Sequence, residues 1–489
     1  MNVPIRRLLA VVLVLFALLV GFTSNWSVFD ASDLEAKTEN KRPLFEAQQI
    51  KRGKITTSDG QVIANSTKTG ENESYQYVRR YPQGSLFGNP IGYSFITQGT
   101  SGFERAENAT LTGEENEFVS IIDQIRGQQR QGSDIITTLD SSAQQLATDQ
   151  LQATGRPGAV VAIEPSTGAV KVMASTPGFD PNQVPDDLDQ FNKADPSVLT
   201  NRAIQSLYPP GSTFKVVTAA AALDSGAATP ETVLSGASPQ TFSGVELSNA
   251  GGEQFGDIDM RTALTHSVNT YFAQLGESVG AETLLDYMDR FGFGKDPEVQ
   301  LPEDQKAASG VFVVGGPQGF KQVDEGFDLA RVAIGQGGEE GEVRASVMQM
   351  AEVAATVANG GKLMKPTLVE KVIDPDGRVT DELDPEVQSE VMSEETASEL
   401  ADMMTSVVDE GTAADLAGNL GGTTFAGKTG TAEINIEQDI AQPWFIAFAP
   451  VEDPKIAVAV TTDPCAGCFG GTDAGPIATA VMNEILNGG

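Results

Sequence analysis

Histidine is nearly absent from this chain: His266 is the only one in 489 residues. Cysteine is almost as scarce, with Cys465 and Cys468 in the stretch DPCAGCFGG. A four-ligand Cys/His zinc set therefore cannot be assembled, because the single imidazole is far away in sequence. Cations are also few. Against 67 Asp and Glu stand 32 Lys and Arg, for a formal net charge of -35. A large nucleic-acid footprint needs clustered Lys and Arg, so that partner class is excluded. The acidity itself describes a soluble, self-repelling surface rather than a fold. No internal repeat and no low-complexity segment is visible. Apolar residues make up 40 % of the chain, enough for a sizeable core, and the length allows two to four domains.

Long apolar runs are missing too, save one. The chain begins MNVPIRRLLAVVLVLFALLVGFTSNW, where Arg6 and Arg7 precede an uninterrupted run of 15 residues from Leu8 to Phe22. That is short for a spanning helix and at the upper end of a signal-peptide core. No A-x-A-like cleavage site follows, and Trp26 stands where an interfacial aromatic belongs. A retained anchor is therefore favoured over a cleaved signal. With the Arg pair held inside, the remainder lies on the extracytoplasmic face of the plasma membrane, as a single-pass protein.

Three regions separate by composition: an anchor over 1–26, a polar region over 27–157 and a larger region over 158–489. The middle region holds short strand-like pieces (GKITTSDGQVIA, YQYVRRYPQG) and one helical stripe, SSAQQLATDQLQATG, before the joint GRPG at Gly155–Gly158. The third opens with GAVVAIEPSTGAVKVMAS, two apolar runs around the turn Pro165–Gly168, which reads as a hairpin. Helical periods follow in FKVVTAAAALDSG and ASVMQMAEVAATVANGG. Near the end TFAGKTGTAEI, PWFIAFAP and KIAVAVTTD read as three strands, before a final helix in GPIATAVMNEILNG. Strands at both ends with helices between predict an α+β domain, one sheet built from both termini and covered by helices.

Three clusters could carry chemistry. In YPPGSTFKVV, Pro209-Pro210-Gly211 cannot continue a helix and the apolar run after Lys215 can form one. Ser212 thus falls at a helix N-terminus, where the dipole favours negative charge. Lys215, three residues on, lies on the same face about one turn away. A serine needs a base to become a nucleophile, and S-x-x-K puts an amine in reach. Alone, this pattern is equally an N-capping Ser followed by a surface Lys. Ser267-Val268-Asn269 alone is a common loop sequence. Lys428-Thr429-Gly430-Thr431 alone is an edge strand that tolerates a Gly.

Together the three stand in the order S-x-x-K, S-x-N, K-T-G, with gaps of about 50 and 160 residues. These are the active-site signatures of penicillin-recognising enzymes. The chain resembles the class B penicillin-binding proteins, membrane-anchored serine D,D-transpeptidases. The resemblance extends to Tyr208–Lys215, to Gly335-Gln336-Gly337, to Gln349–Ala351, to Ala358–Gly361, to the hairpin Gly158–Gly168 and to Arg52-Gly53-Lys54-Ile55 with Gly60. Two stretches depart from the family pattern: Arg344-Ala345-Ser346 replaces its Thr-Pro, and Thr57-Ser58-Asp59 its Asp-Arg-Asn. The polar region, with FERAENATLTG inside it, resembles the compact actinobacterial-type members.

The resemblance implies a β-lactamase/transpeptidase-like serine domain, with an antiparallel sheet flanked by helices, on a smaller mixed, non-catalytic pedestal of the dimerisation-domain kind. It implies acyl transfer at D-Ala-D-Ala, with Ser212 as nucleophile and Lys215 as base. A neighbouring charge on Lys428 would depress the Lys215 pKa. Ser267 would relay the proton to the leaving amine, and Asn269 would bind the substrate backbone. Lys428, Thr429 and Gly430 would line the carboxylate site. The backbone N–H groups of Ser212 and Thr431 would form the oxyanion hole. The implied partners are stem peptides on lipid-linked glycan strands, β-lactams and a multi-pass glycan polymerase. No cofactor and no metal is implied. About 130 residues separate anchor and catalytic region, without the pattern of a glycan-polymerising domain, so the monofunctional class is expected.

Alternatives use the same motifs: a D,D-carboxypeptidase, a β-lactamase or a non-enzymatic β-lactam sensor. A Ser-His-Asp hydrolase built on His266 lacks a G-x-S-x-G elbow, and unlike the lysine-based reading it requires His266→Ala to abolish turnover. In an exported protein Cys465 and Cys468 form a local disulfide rather than a redox pair. They are expected in a loop before the last helix, where Gly467, Gly470 and Gly471 disfavour a helical start.

Overall fold

The computed structural model describes residues 3–24, 48–70, 76–114, 130–314, 320–338, 341–435 and 437–488. The N-terminal apolar segment is a 22-residue helix, Val3–Ser24. At 1.5 Å per residue it spans about 33 Å, which suits a hydrocarbon core of about 30 Å. Flanking residues on both sides of the Leu8–Phe22 run join the helix, and none of its side chains is buried against the protein. Among the described residues it is the one helix long and apolar enough to cross a membrane. Trp26, expected at the membrane interface, lies outside the described residues.

The central sheet is antiparallel and is built from both ends of the large region, as the strand pattern predicts. Its order is Ala426–Asn435, Ile440–Ala449, Ile456–Thr462, Gly158–Ile163, Val170–Thr176. The opening hairpin pairs Gly158 with Thr176, and its first strand lies against the last long strand through Val160 and Val460. Two of the three inner strands, Gly158–Ile163 and Ile456–Thr462, are buried at every residue. Helices on both faces require this, and it explains why these strands read as continuous apolar runs. Val347–Ala358 packs on one face; Ser141–Ala153 and Gly475–Asn487 pack together on the other.

A second six-stranded sheet belongs to the pedestal, but its strands do not all come from residues 27–157. The order is Val379–Glu382, Val369–Ile373, Asp134–Thr137, Ile55–Thr56, Val62–Thr69, Gln76–Arg80. The hairpin 369–382, from deep within the large region, pairs with Asp134–Thr137 and closes an edge that would otherwise present unpaired backbone groups. Composition placed a boundary at 157; the fold crosses it a second time. Thr138 tightens the crossing, its hydroxyl bonded to Val170 O at 2.7 Å and Thr367 O at 3.0 Å. So does the buried Gln144, which donates to Met173 O and accepts from Met173 N.

The pedestal is organised around a buried carboxylate. Glu104, from FERAENATLTG, accepts from Arg52 at 2.7 Å and from Arg79 at 2.5 Å, and Tyr81 adds a hydroxyl at 3.2 Å. Burial alone would raise the Glu104 pKa; Arg79 and Arg52 outweigh it and hold the carboxyl below its usual range. The Thr57-Ser58-Asp59 departure forms the tight turn that ends at Gly60, with Asp59 accepting from the Ser141 hydroxyl at 2.5 Å.

Candidate active site

Ser212 lies in a single 3-10 turn, Gly211–Phe214, which runs directly into the helix Lys215–Asp224. The expected helix start is thus one tighter turn earlier than an α-helical N-terminus. Gly211 has φ 53°, and its N–H donates to Gly335 O at 2.9 Å. A Cβ on Gly335 would stand 2.0 Å from Gly211 O. The sequence G-Q-G at 335–337 is therefore a close-approach requirement, which fixes the turn from behind. Tyr208 exchanges both backbone hydrogen bonds with Ala345, and Trp444 donates from Nε1 to Pro209 O at 2.9 Å. The segment ahead of Ser212 is held at several points, which is what a side chain presented in one orientation requires.

Lys215 is fully buried. Its Nζ donates to Ser267 O at 2.6 Å and Asn269 Oδ1 at 2.7 Å, and lies 3.3 Å from Ser267 Oγ. Lys428, also fully buried, reaches the same Ser267 Oγ at 2.9 Å and Thr429 O at 2.9 Å. Two amines on separate motifs thus converge on one hydroxyl. Ser267 adopts φ 57°, an uncommon conformation for a non-glycine residue. Asn269 begins the helix Asn269–Val279 and is itself anchored by donating to Ser248 O at 2.9 Å.

The electrostatics follow from burial. The Lys215 pKa is pushed well below its usual value, first by desolvation and second by Lys428. The neighbouring charge expected from sequence is present, but burial is the larger cause. Desolvation also brings Lys428 down to about 7. A neutral amine has two N–H donors and one lone pair. Ser267 O and Asn269 Oδ1 take two donors from Lys215, which leaves a lone pair for a hydroxyl proton.

Lys428, Thr429, Gly430 and Thr431 lie on Ala426–Asn435, the edge strand of the sheet. Thr431 stands opposite Pro443, which has no N–H, and Pro443 O accepts from Thr461 Oγ1 on the far side. The Thr431 N–H is therefore not tied to its neighbouring strand and points off the sheet edge. Gly430 is more than tolerated: a Cβ there would meet Pro210 O at 2.8 Å and Trp444 Cβ at 2.9 Å. Absence of that side chain lets the Ser212 turn sit against the strand.

Sequence reasoning missed Thr412. Its hydroxyl lies 2.6 Å from Thr429 Oγ1, and its N–H donates to Thr265 O at 3.2 Å. Thr412 therefore ties the S-x-N loop to the K-T-G strand, although its surroundings, EGTAADL, carried no signal that separates it from any helix end. His266 is exposed and stacks on Phe255.

The motifs S-x-x-K, S-x-N and K-T-G thus meet in one place, and residues 158–487 match the penicillin binding protein transpeptidase domain family. The chain belongs to that family. Residues 52–135 match the penicillin binding protein A dimerisation domain family. The chain is 34 % identical to the peptidoglycan D,D-transpeptidase PbpA of Mycolicibacterium smegmatis, over 100 % of both chains. It is 33 % identical to the protein of the same name from Mycobacterium tuberculosis, again over 100 % of both. The solved penicillin G acyl-enzyme complex of M. tuberculosis penicillin-binding protein A matches with TM-score 0.77 and 32 % identity, covering 90 % of this chain and 100 % of that one.

Within this penicillin-binding protein both departures from the family pattern have a local account. Ser346 caps the helix Val347–Ala358, accepting from Gln349 N at 3.1 Å, so the N-cap role of a threonine is kept by a serine. Ala345 pairs with Tyr208 through backbone alone, which any residue can do. Cys465 and Cys468 are paired as a disulfide, Cα atoms 5.3 Å apart. They do not lie in a plain loop. Cys465–Ala466 is a two-residue strand against Ile440 and Ala441, and a one-turn helix, Gly470–Asp473, follows. No helix starts at Cys465, as the glycines led us to expect; the short helix begins five residues later, at Gly470. Gly470 is required there by close approach, since a Cβ would stand 2.2 Å from Trp444 O and 2.4 Å from Gly430 O.

Proposed function

We propose that this penicillin-binding protein is a peptidoglycan D,D-transpeptidase acting through a Ser212 acyl-enzyme, and that β-lactams acylate the same serine. The observation that carries the reading is the convergence of the Lys215 and Lys428 nitrogens on Ser267 Oγ, with Lys215 one turn along the chain from Ser212. Ser212 Oγ attacks the carbonyl carbon of the penultimate D-Ala, and its proton passes to the Lys215 lone pair. The oxyanion is held between the N–H groups of Ser212 and Thr431, donors that cost no reorganisation in the transition state. The C–N bond then breaks. The leaving D-Ala nitrogen takes a proton relayed by Ser267, and the acyl group remains on Ser212 as an ester. A stem-peptide amine attacks that ester, the proton moves back along the same path, and the serine is released. Lys428 and Thr429, beside Gly430, hold the terminal carboxylate, while Asn269 holds the substrate backbone.

The apolar helix anchors the protein in the plasma membrane. Arg6 and Arg7 favour a single-pass orientation with the catalytic region on the extracytoplasmic face, where stem peptides on lipid-linked glycan strands are found. Absence of a glycan-polymerising pattern in the chain supports a multi-pass polymerase as partner. The relatives bear the transpeptidase name, and no feature of this chain favours a carboxypeptidase, β-lactamase or sensor. The test is labelling by a fluorescent penicillin. Wild-type protein should form a stable adduct, and Ser212→Ala should form none at unchanged melting temperature. Labelling that persists in Ser212→Ala overturns the assignment.

A further inference from the structure

The pedestal and the catalytic region line an open cavity of about 310 Å³ between them, away from the three motifs. That lies at the lower end of the range occupied by small-molecule sites, about 300–1,000 Å³. Its lining is polar but has no cationic side chain; the one ionisable acid is Asp304, already paired with Arg105 at 2.9 Å. A phosphate or carboxylate ligand would find no counter-charge there, in a chain of formal charge -35.

What the cavity offers is hydrogen-bonding groups of fixed orientation. Gln205 and Gln305 both line it. Gln205 Oε1 accepts from Asn201 N at 2.7 Å, and Gln305 Oε1 accepts from Gly102 N at 2.8 Å. Each bond sets which way the amide lies, so each Nε2 remains a directed donor. Ser101 accepts from Tyr93 N at 3.2 Å, which leaves its hydroxyl proton to give. Aromatic walls come from Tyr93 and Phe179, whose rings meet edge to face at 6.3 Å. Directed amides and hydroxyls beside aromatic rings, without cations, suit a neutral polyhydroxylated ring.

We propose that this cavity binds a sugar of the glycan strand, an N-acetylated amino sugar. One ring with its acetamido group fits the volume, and its hydroxyls and acetyl oxygen accept from the amide groups. The proposal rests on the transpeptidase reading only for the identity of the sugar. Its consequence is positional. Gln205 stands seven residues before Ser212 on a segment held by the pedestal, where Asn89 Nδ2 donates to Val198 O and Thr200 O. A strand held in the cavity would raise the effective concentration of its stem peptides at the catalytic region.

The test is calorimetric titration of the full chain in detergent with chitotetraose, a tetramer of N-acetylglucosamine, before and after acylation by penicillin G. Gln205→Glu and Gln305→Glu are the informative variants, because each keeps the oxygen that accepts the backbone N–H and removes the donor. Saturable binding by wild type is expected, unchanged by penicillin and weakened at least tenfold in either variant, with penicillin labelling intact. Absence of saturable binding, wild-type affinity in both variants, or loss of binding on acylation each overturns the proposal. So does saturable binding at the same residues by a sugar-free stem peptide. Where a variant labels poorly because it misfolds, Ser101→Ala supplies the same comparison. Ser212 labelling by penicillin is read separately, so failure of sugar binding leaves the transpeptidase assignment standing.

Discussion

At the scale of single residues the account rests on the protonation of two lysines. Acylation needs Lys215 neutral, and Lys428 charged to attract a carboxylate. The second-order rate constant for penicillin acylation should therefore rise with pH through the depressed pKa of Lys215. It should fall as Lys428, at about 7 in the free enzyme, loses its proton. A stopped-flow pH series measures both limbs; a rate that decreases on the acidic limb as pH rises contradicts Lys215 as base. Folding carries the same signature. A buried lysine whose folded pKa lies below its unfolded value of about 10.4 withholds stability at low pH. Lys428 therefore contributes stability as pH rises from about 7 through that window. Thr412 supplies a second expectation. It is a positioning residue, acting through the 2.6 Å contact of its hydroxyl with Thr429 Oγ1. Thr412→Val should lower acylation by roughly fivefold, in line with about 1 kcal/mol for a lost hydrogen bond. It should do so more for carboxylate-bearing penicillin than for its methyl ester, and Thr412→Ser should restore the difference. Equal losses on both substrates would make Thr412 merely structural.

At the scale of elements, much was legible and the remainder has a physical reason for being hidden. The opening hairpin, the three closing strands and the last helix follow from apolar period and turn residues, and all five form where expected. Ser212, Lys215, Ser267, Asn269 and Lys428 could be picked out because three spaced motifs reinforce one another. Thr412 could not, because its role is a contact between elements far apart in sequence. Nor could the glycine requirements at Gly335 and Gly470, which come from backbones that meet only in the fold. The same holds for Glu104: its sequence neighbours give no sign of Arg52 and Arg79, which lie on other elements. Removing its charge strands the buried Arg79 guanidinium and the part-buried one of Arg52, so Glu104→Gln should destabilise the protein by about 3–5 kcal/mol. Denaturant unfolding of wild type and variant, followed at neutral pH, checks it. Because the folded Glu104 pKa is depressed, its contribution is present above the unfolded value of about 4.3. It fades as pH falls through the folded value, so the two proteins should converge in acid. A variant within 1 kcal/mol of wild type at neutral pH, a bound set by that same estimate, would contradict the reading of the cluster.

At the scale of the whole molecule, composition suggested two regions in series after the anchor, and the fold joins them by a shared sheet. The hairpin 369–382 leaves the large region, completes the pedestal and returns. Val379–Glu382 is exposed throughout and Val369–Ile373 is only half-buried apart from Val372, so no continuous core pattern marked the hairpin as part of a second sheet. The pedestal is thereby tied to the catalytic region at Thr138, Gln144 and this hairpin, and the three motifs sit on one side of that joint. The central claim is that this joined body performs acyl transfer through Ser212. Its most direct test is to incubate the full chain with a D-Ala-D-Ala stem peptide and an amine acceptor, then follow cross-linked product and released D-Ala by mass spectrometry. The account predicts one D-Ala released for each cross-link formed, a peptide ester on Ser212 in quenched samples, and neither product with Ser212→Ala. Cross-linked product from Ser212→Ala, or D-Ala release with no cross-link from wild type at saturating acceptor, would contradict it.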